Sequence, residues 1–372
     1  MFKKAYCHFV RKDFGVVESI LSQILHLNNE YTIPAKYYYA MSLYFNEDLE
    51  GAVAGFREIE REESYENRIP YYISQILFKE EKYEELLDYG NKVVQKPSTL
   101  NIKEIRGLLG QTYFLRKEYE KAIFHLAYYV ENTKKLRAED FYQLGFAYYQ
   151  TKQYEKAVSQ FVEIANEKSK LGQNANNYLA NSYLQIDNSN GARTAFKRTA
   201  EMSFLPDLAE EAYFNYGKLS AEMAFDREAL NTLKNIEPSS VYFAEAQQIL
   251  SHILQNTKDY GEALRFIEEL EMQSLLMQTS YQRIAYYYAM QYLVDGEKLD
   301  ALDNFNKSLK FPREDKITAQ TYYRLADLDH ESKRYQQSIT KLNKYFSLVK
   351  TGISLPKDAD EAYANYLQAY NY

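Results

Sequence analysis

The chain has 372 residues, 52 acidic and 45 basic, for a formal net charge of −7; that length exceeds the roughly 100–200 residues of an ordinary single domain and calls for several domains or a repeat array. Scarce Gly (13) and Pro (7) exclude turn-dense all-β folds and Pro/Gly-rich disordered chains, and the mildly acidic balance supplies no general attraction to nucleic acid or anionic lipid. The single cysteine, Cys7, excludes an internal disulfide and any multi-cysteine metal site, while 38 Tyr and 20 Phe with no Trp leave an aromatic content of 16% to be explained.

The opening segment Met1–Lys12 carries Lys3 and Lys4 but no sustained apolar run before Arg11, so it does not read as a signal peptide. No window approaches the ~18 apolar residues of a membrane-spanning helix, and direct membrane insertion is not expected. Along the chain, a small residue recurs as Ala5, Ala40, Ser74, Gly110, Gly145, Ala180, Gly217, Ser251, Ala289 and Ala326. The steps range from 34 residues (Ala40 to Ser74) to 38 (Ser251 to Ala289). Twelve residues after each comes a second column: Val17, Ala52, Leu86, Ala122, Ala157, Ala192, Ala229, Ala263, Ala301 and Ser338. Four residues on, one helical turn, comes a third: Leu21, Phe56, Gly90, Leu126, Phe161, Phe196, Leu233, Ile267, Phe305 and Leu342, broken only by Gly90. The pattern predicts about ten helix–turn–helix units, each with a helix A and a helix B, and short polar turns such as Arg116-Lys117-Glu118 between them. Each pair has an apolar stripe that only a stacked neighbour can bury.

The unit Ala138–Phe161, with Leu144-Gly145, Tyr148, Tyr154, Ala157 and Phe161, and the unit before it, with Leu109-Gly110, Tyr113, Tyr119, Ala122 and Leu126, resemble the tetratricopeptide repeat, a helix–turn–helix of roughly 34 residues. The resemblance covers the whole chain and implies an all-α, right-handed α-α superhelix, a solenoid of about ten repeats plus a C-terminal helix. His8 and Asp329 stand where the pattern expects an apolar residue. The wider spacings place long inter-repeat loops around Pro206, Glu271–Thr279 and Phe311–Lys316. The organisation expected is one array over 1–372: a regular half over about 1–200, a half with longer loops over about 201–357, and a terminal helix over about 358–372. That last helix is apolar and aromatic where a cap would be polar, which points to a fragment of a longer array, the other reading being that this helix is itself the cap with its tyrosines half exposed.

A search for chemistry returns little. His8, His26, His125, His252 and His330 share no metal-ligand spacing, no phosphate-cradling glycine string occurs, and nothing around Cys7 marks a nucleophile. Acidic runs such as Glu58–Glu63 read as solvated helix faces, and Asn306-Lys307-Ser308 falls within a helix B, so its match to a glycosylation sequon reads as coincidence. Catalysis, cofactors, metals and nucleic acid are therefore not expected.

In the tetratricopeptide family the A helices line the concave face, which assigns three columns to a groove. Four residues after the small residue stand Phe9, Tyr44, Phe78, Phe114 and Tyr149, all aromatic in the first five units. Three residues before it stand Tyr37, Tyr71 and Tyr142, with Asn177 in the sixth unit; one residue after it stand Met41, Gln75, Gln111, Phe146 and Asn181. The candidate peptide groove is thus Tyr37, Met41, Tyr44, Tyr71, Gln75, Phe78, Gln111, Phe114, Tyr142, Phe146, Tyr149, Asn177 and Asn181. Such rings offer large contact area at low rotamer entropy, with phenols and amides to reach a peptide backbone; the competing reading is that they pack on neighbouring repeats. Relatives that hold chaperone tails use Lys and Arg at these positions, so a carboxylate clamp is not expected. The reading is a non-catalytic protein-interaction scaffold, with a cytoplasmic peptide-sensing regulatory protein, or a substrate-presenting array of an enzyme whose catalytic domain lies outside this chain, as alternatives. The Tyr/Asn/Lys-rich texture resembles the large tetratricopeptide proteins of Bacteroidetes-type bacteria. That resemblance implies a role in cell-envelope assembly and a periplasmic or envelope setting if the parent is exported, and otherwise the cytoplasm. Oligomeric state is not legible.

Overall fold

The computed structural model describes residues 1–270, 274–352 and 359–372. Among the described residues there are twenty-one helices and no strand. The chain forms two compact units, Met1–Ala195 and Phe196–Tyr372. In the first, A helices α1 (Phe2–Val10), α3 (Thr32–Phe45), α5 (Ile69–Lys79), α7 (Ile102–Leu115), α9 (Ala138–Gln150) and α11 (Lys170–Gln185) alternate with B helices α2 (Phe14–Leu21), α4 (Leu49–Ile59), α6 (Tyr83–Val93), α8 (Tyr119–Asn132) and α10 (Tyr154–Glu163). The boundary falls within α12 (Ser189–Ala200). The second unit pairs α13 (Pro206–Glu222) with α14 (Asp226–Leu233), α15 (Phe243–Asn256) with α16 (Tyr260–Glu269), α17 (Leu275–Val294) with α18 (Lys298–Ser308), and α19 (Asp315–Glu331) with α20 (Tyr335–Val349), followed by α21 (Glu361–Asn371). Ten A/B pairs and a further helix are the predicted series.

All thirty residues of the three columns are buried. The small residue is small because the B helix leaves no room: a Cβ on Gly110 would stand 2.6 Å from Leu126 Cγ, and one on Gly145 2.9 Å from Phe161 Cε1. The break at Gly90 has the same cause from the other side. Leu109 of the next A helix fills the space, with its Cδ2 2.7 Å from where a Gly90 Cβ would lie.

The A–B turns share one device that the sequence hides. Seven residues after the small residue the backbone is left-handed at Lys12, Glu47, Glu81, Lys117, Lys152, Asp187, Ala224, Gly296 and Lys333, with φ between 56° and 81°. At each, the next residue's N–H bonds back to the carbonyl five before it, as in Glu118 N to Tyr113 O (2.9 Å) and Gln153 N to Tyr148 O (2.8 Å). This is the Schellman ending of a helix. The eighth repeat departs from it, closing α15 on an extended Thr257 (φ −72°, ψ 151°). Side-chain caps then start several B helices: Asp48 accepts from Gly51 N at 3.0 Å and Asn188 from Gly191 N at 2.9 Å.

The expected long loops of the C-terminal half are corrected by the structure. The extra residues lengthen A helices instead: α13, α17 and α19 have 17, 20 and 17 residues, against 14 in α3 and α7. Pro206 opens α13, where its missing N–H costs nothing. Ser274–Thr279 are the N-cap and first turn of α17, and Glu271–Gln273 lie outside the described residues. The connection at Phe311–Glu314 is pinned by buried Gln282, whose Oε1 accepts from the backbone N–H of Arg313 (2.9 Å) and Glu314 (2.8 Å) while its Nε2 donates to Thr318 Oγ1 (2.8 Å). The Thr351–Lys357 loop and the helix start at Asp358 fall largely outside the described residues; α21 begins at Glu361, after an N-cap at Asp360.

The two irregular residues find polar solutions. His8 Nδ1 lies 3.2 Å from Asp13 Oδ2. Asp329 is 1% exposed and held by Arg334 at 2.8 Å and by the Lys341 ammonium, so a buried charge is paired rather than orphaned.

Candidate ligand groove on the A helices of the first unit

The thirteen groove candidates all lie in the unit Met1–Ala195, carried on A helices whose register is fixed by the buried columns. Tyr37 (7% exposed) and Met41 (5%) are core residues. The Tyr37 ring sits 4.6 Å from Tyr65 and 6.3 Å from Phe56, centroid to centroid. The other eleven are half-buried, each with part of its surface open to solvent. None of the thirteen is a carboxylate, ammonium or guanidinium. Burial raises the phenol pKa of Tyr44, Tyr71 and Tyr149, and pushes Tyr142 up to about 12, with Tyr178 adding to it. The phenols are therefore neutral donors at physiological pH.

Two clusters hold these side chains in place. In the first, Tyr44 donates its hydroxyl to Gln75 Oε1 (3.1 Å) and Gln75 Nε2 donates to the Tyr71 hydroxyl (2.8 Å), a chain that ties α3 to α5 and fixes the amide's orientation. In the second, Phe146 of α9 lies 5.7 Å from Phe114 of α7, stacks on Tyr142 at 6.0 Å, and meets Tyr178 of α11 edge-on at 5.0 Å. Asn181 Nδ2 donates to the Asn177 carbonyl at 2.9 Å.

The aromatic column also packs in a regular way. Its rings meet the first residue of the following B helix: Phe9 with Phe14 (5.5 Å), Phe78 with Tyr83 (6.0 Å), Phe114 with Tyr119 (6.0 Å) and Tyr149 with Tyr154 (5.7 Å). A further column, two residues before the small residue, escaped the sequence reading. Tyr38, Tyr72 and Tyr178 reach from one A helix to the aromatic ring of the repeat before: Phe9–Tyr38 at 4.9 Å, Tyr44–Tyr72 at 5.8 Å and Tyr149–Tyr178 at 5.1 Å. Tyr72 and Tyr178 stack at the same time on the B-helix rings Phe56 (5.5 Å) and Phe161 (6.0 Å). Their recurrence at one register position was the available signal. Each such pair adds about 0.5–1.5 kcal/mol beyond its buried area, so these rings stiffen the repeat stack as well as lining its face.

In the second unit the same columns change character. The residues four after the small one are Ala221, Gln255, Leu293 and His330, and Phe214, Tyr286 and Tyr323 of the earlier column are buried. The half-exposed aromatic run belongs to the first unit. Among the described residues no group of three or more His, Cys, Asp or Glu is placed to hold a metal ion, and no helix is long and apolar enough to cross a membrane.

Buried repeat columns, Schellman-terminated A helices and an aromatic A-helix face define an all-α helical-repeat protein. Its repeats resemble the tetratricopeptide repeat. No family model and no curated protein matches the sequence. Similar solved structures include the C-terminal part of a TPR repeat-containing protein from Cytophaga hutchinsonii (16% identity over 75% of this chain and 99% of that one, TM-score 0.39). They also include a tetratricopeptide repeat protein from Parabacteroides merdae (16%, 75% and 93%, TM-score 0.36) and a Rap protein complexed with competence and sporulation factor (16%, 86% and 98%, TM-score 0.31). At these identities the likeness concerns the fold alone.

Proposed function

We propose that the chain is a non-catalytic interaction scaffold whose first unit takes a peptide segment of a protein partner along its A-helix face. One observation carries the reading. Five consecutive A helices present Phe9, Tyr44, Phe78, Phe114 and Tyr149 at one register position, each half-buried and none beside a charged groove residue of its own column. Half-open rings in a row are a surface that gains by covering, and the fixed Gln75 and Tyr71 groups supply donors and acceptors for an extended backbone. The absence of cations among the groove residues favours a segment without a cluster of carboxylates. Cell-envelope assembly is the process we place it in, on compositional resemblance.

The double variant Tyr44→Ser/Tyr149→Ser tests this. Binding of the partner captured from native lysate, remeasured with purified components, falls at least tenfold while the melting temperature of the chain stays within a few degrees. A melt that collapses with binding intact assigns the rings to packing and overturns the proposal. A captured partner that proves to be a short free peptide, compacting the chain on binding, favours the peptide-sensor alternative.

A further inference from the structure

The hydrogen bonds on the A-helix face of the first unit have a direction. Tyr44 gives its proton to Gln75 Oε1, and Gln75 Nε2 donates to the Tyr71 hydroxyl oxygen. The chain leaves over two hydrogens, the Tyr71 O–H and the second Gln75 N–H, on side chains that are half-buried. Both call for an acceptor. Beside the rings Phe9, Tyr44 and Phe114 the face is apolar and open at Val10 (65% exposed), Phe45 (47%) and Leu115 (54%). Between α1 and α3, a recess of about 280 Å³ is lined by Phe9, Tyr38 and the stacked pair Phe14–Phe45, whose centroids are 4.7 Å apart. The rings of this face also recur at a set interval. Helix α1 touches α3, and α5, α7, α9 and α11 touch in turn, while the Tyr44–Gln75 bond joins α3 to α5. Packed helix axes lie about 8–10 Å apart, so one register position repeats at about that distance.

We propose, building on the reading of this face as a groove, that its ligand is an uncharged proline-rich segment in the polyproline II conformation, laid across the A helices with one proline per repeat against the ring column. Polyproline II returns to the same face every three residues, about 9.3 Å, and has no internal hydrogen bonds. Its carbonyls are therefore free to accept from Tyr71 and Gln75, and its prolines bring no N–H that the face must answer. A β-strand returns to one face after about 6.7 Å, out of step with the rings, and carries N–H groups in need of acceptors. An α-helix regains its face after seven residues, about 10.5 Å, but has already bonded its own carbonyls. Aromatic-lined grooves hold proline rings well, and the ligand enters with little conformational entropy to lose. With no charge among the thirteen groove residues, a segment without charge of its own is the complement.

Fluorescence anisotropy on the purified 372-residue chain tests this with a labelled, end-blocked peptide of five Pro-Pro-Ala triplets, which reaches about 46 Å. The expected result is saturable binding that is at least tenfold weaker for five Gly-Ser-Ala triplets and in Tyr44→Ser/Tyr149→Ser. Tyr71→Phe, which removes the proton and keeps the ring, should weaken it roughly threefold to tenfold. Melting temperatures within a few degrees of the parent's establish that the variants are folded; if the double variant melts early, Tyr71→Phe decides alone. Failure of the proline peptide to bind at about 1 mM, while the lysate partner still depends on Tyr44 and Tyr149, leaves the groove standing and overturns the polyproline ligand. If neither binding depends on those rings, both readings fall. Equal binding of the Gly-Ser-Ala peptide, or proline binding untouched by Tyr71→Phe, also overturns the proposal.

Discussion

His125 shows how much one residue of this fold is committed to packing. It is 3% exposed on α8, stacked on Tyr113 at 5.6 Å and 16°, with its Nδ1 buried without a hydrogen-bond partner. Burial, reinforced by the Arg106 guanidinium, lowers its pKa from 6.5 to about 4. The unfolded chain therefore takes up this proton near pH 6.5 and the folded chain only near pH 4. Between those values the unfolded state binds more protons, so stability present at neutral pH is lost as the pH falls through the window, by roughly 3 kcal/mol in all. Urea unfolding at pH 7 and pH 5, followed by tyrosine near-ultraviolet circular dichroism, should show this loss for the repeats around α8. His125→Phe, which keeps an apolar ring against Tyr113, should flatten that part of the pH dependence. An unchanged slope in the variant would assign the acid sensitivity to other groups. The residue thus lies in the repeat interior, and its chemistry is a cost of burial.

The A–B hairpin is the element on which the fold depends, and its turn is stabilised less than it could be. A non-glycine residue in the left-handed region costs about 1–2 kcal/mol relative to its preferred backbone, part of which glycine returns through its greater entropy when unfolded. Lys117→Gly and Lys152→Gly, both at exposed left-handed positions, should each raise stability by about 0.5–1 kcal/mol. Lys258→Gly, at the equivalent place in the eighth repeat where φ is not positive, should lower it. A gain at Lys258 or losses at the other two, measured by chemical denaturation, would mean the turn geometry is wrong. This turn also marks where legibility stops. The three buried columns could be read because close approach admits only Gly, Ala or Ser and the facing positions demand apolar bulk. The left-handed turn could not, because Lys, Glu, Asp and Ala occupy it and only Gly296 announces it. The helix extensions in α13, α17 and α19 were mistaken for loops because spacing between units does not say which element absorbs the extra residues. In the groove, column position identified the half-open rings but could not distinguish Tyr44 from Tyr37, since depth depends on Tyr65 and Phe56 brought in by other elements.

For the whole molecule, stability is distributed over nearest-neighbour helix contacts, because each repeat buries its stripe only against adjacent repeats. That predicts how damage spreads. Gly110→Val places branched carbons where a single Cβ already stands 2.6 Å from Leu126 Cγ and 3.0 Å from its backbone nitrogen, so α7 and α8 must separate. Overpacking of this kind costs about 1–3 kcal/mol or more. Hydrogen–deuterium exchange should then show the greatest loss of amide protection in α7 and α8, a smaller loss in α5, α6, α9 and α10, and native protection in α17 to α20. The aromatic ties modulate the gradient: Phe114, Phe146 and Tyr178 link α7, α9 and α11 at 5.7 and 5.0 Å, so α11 should lose more protection than α3, which no ring pair joins directly to α7. A uniform loss over the entire chain would instead mean one cooperative transition and would rule out nearest-neighbour control. The same experiment bears on the tyrosine excess. If Tyr178→Leu in the Gly110→Val background shortens the reach of the damage toward α11, the rings act as mechanical couplings between repeats in addition to lining the A-helix face.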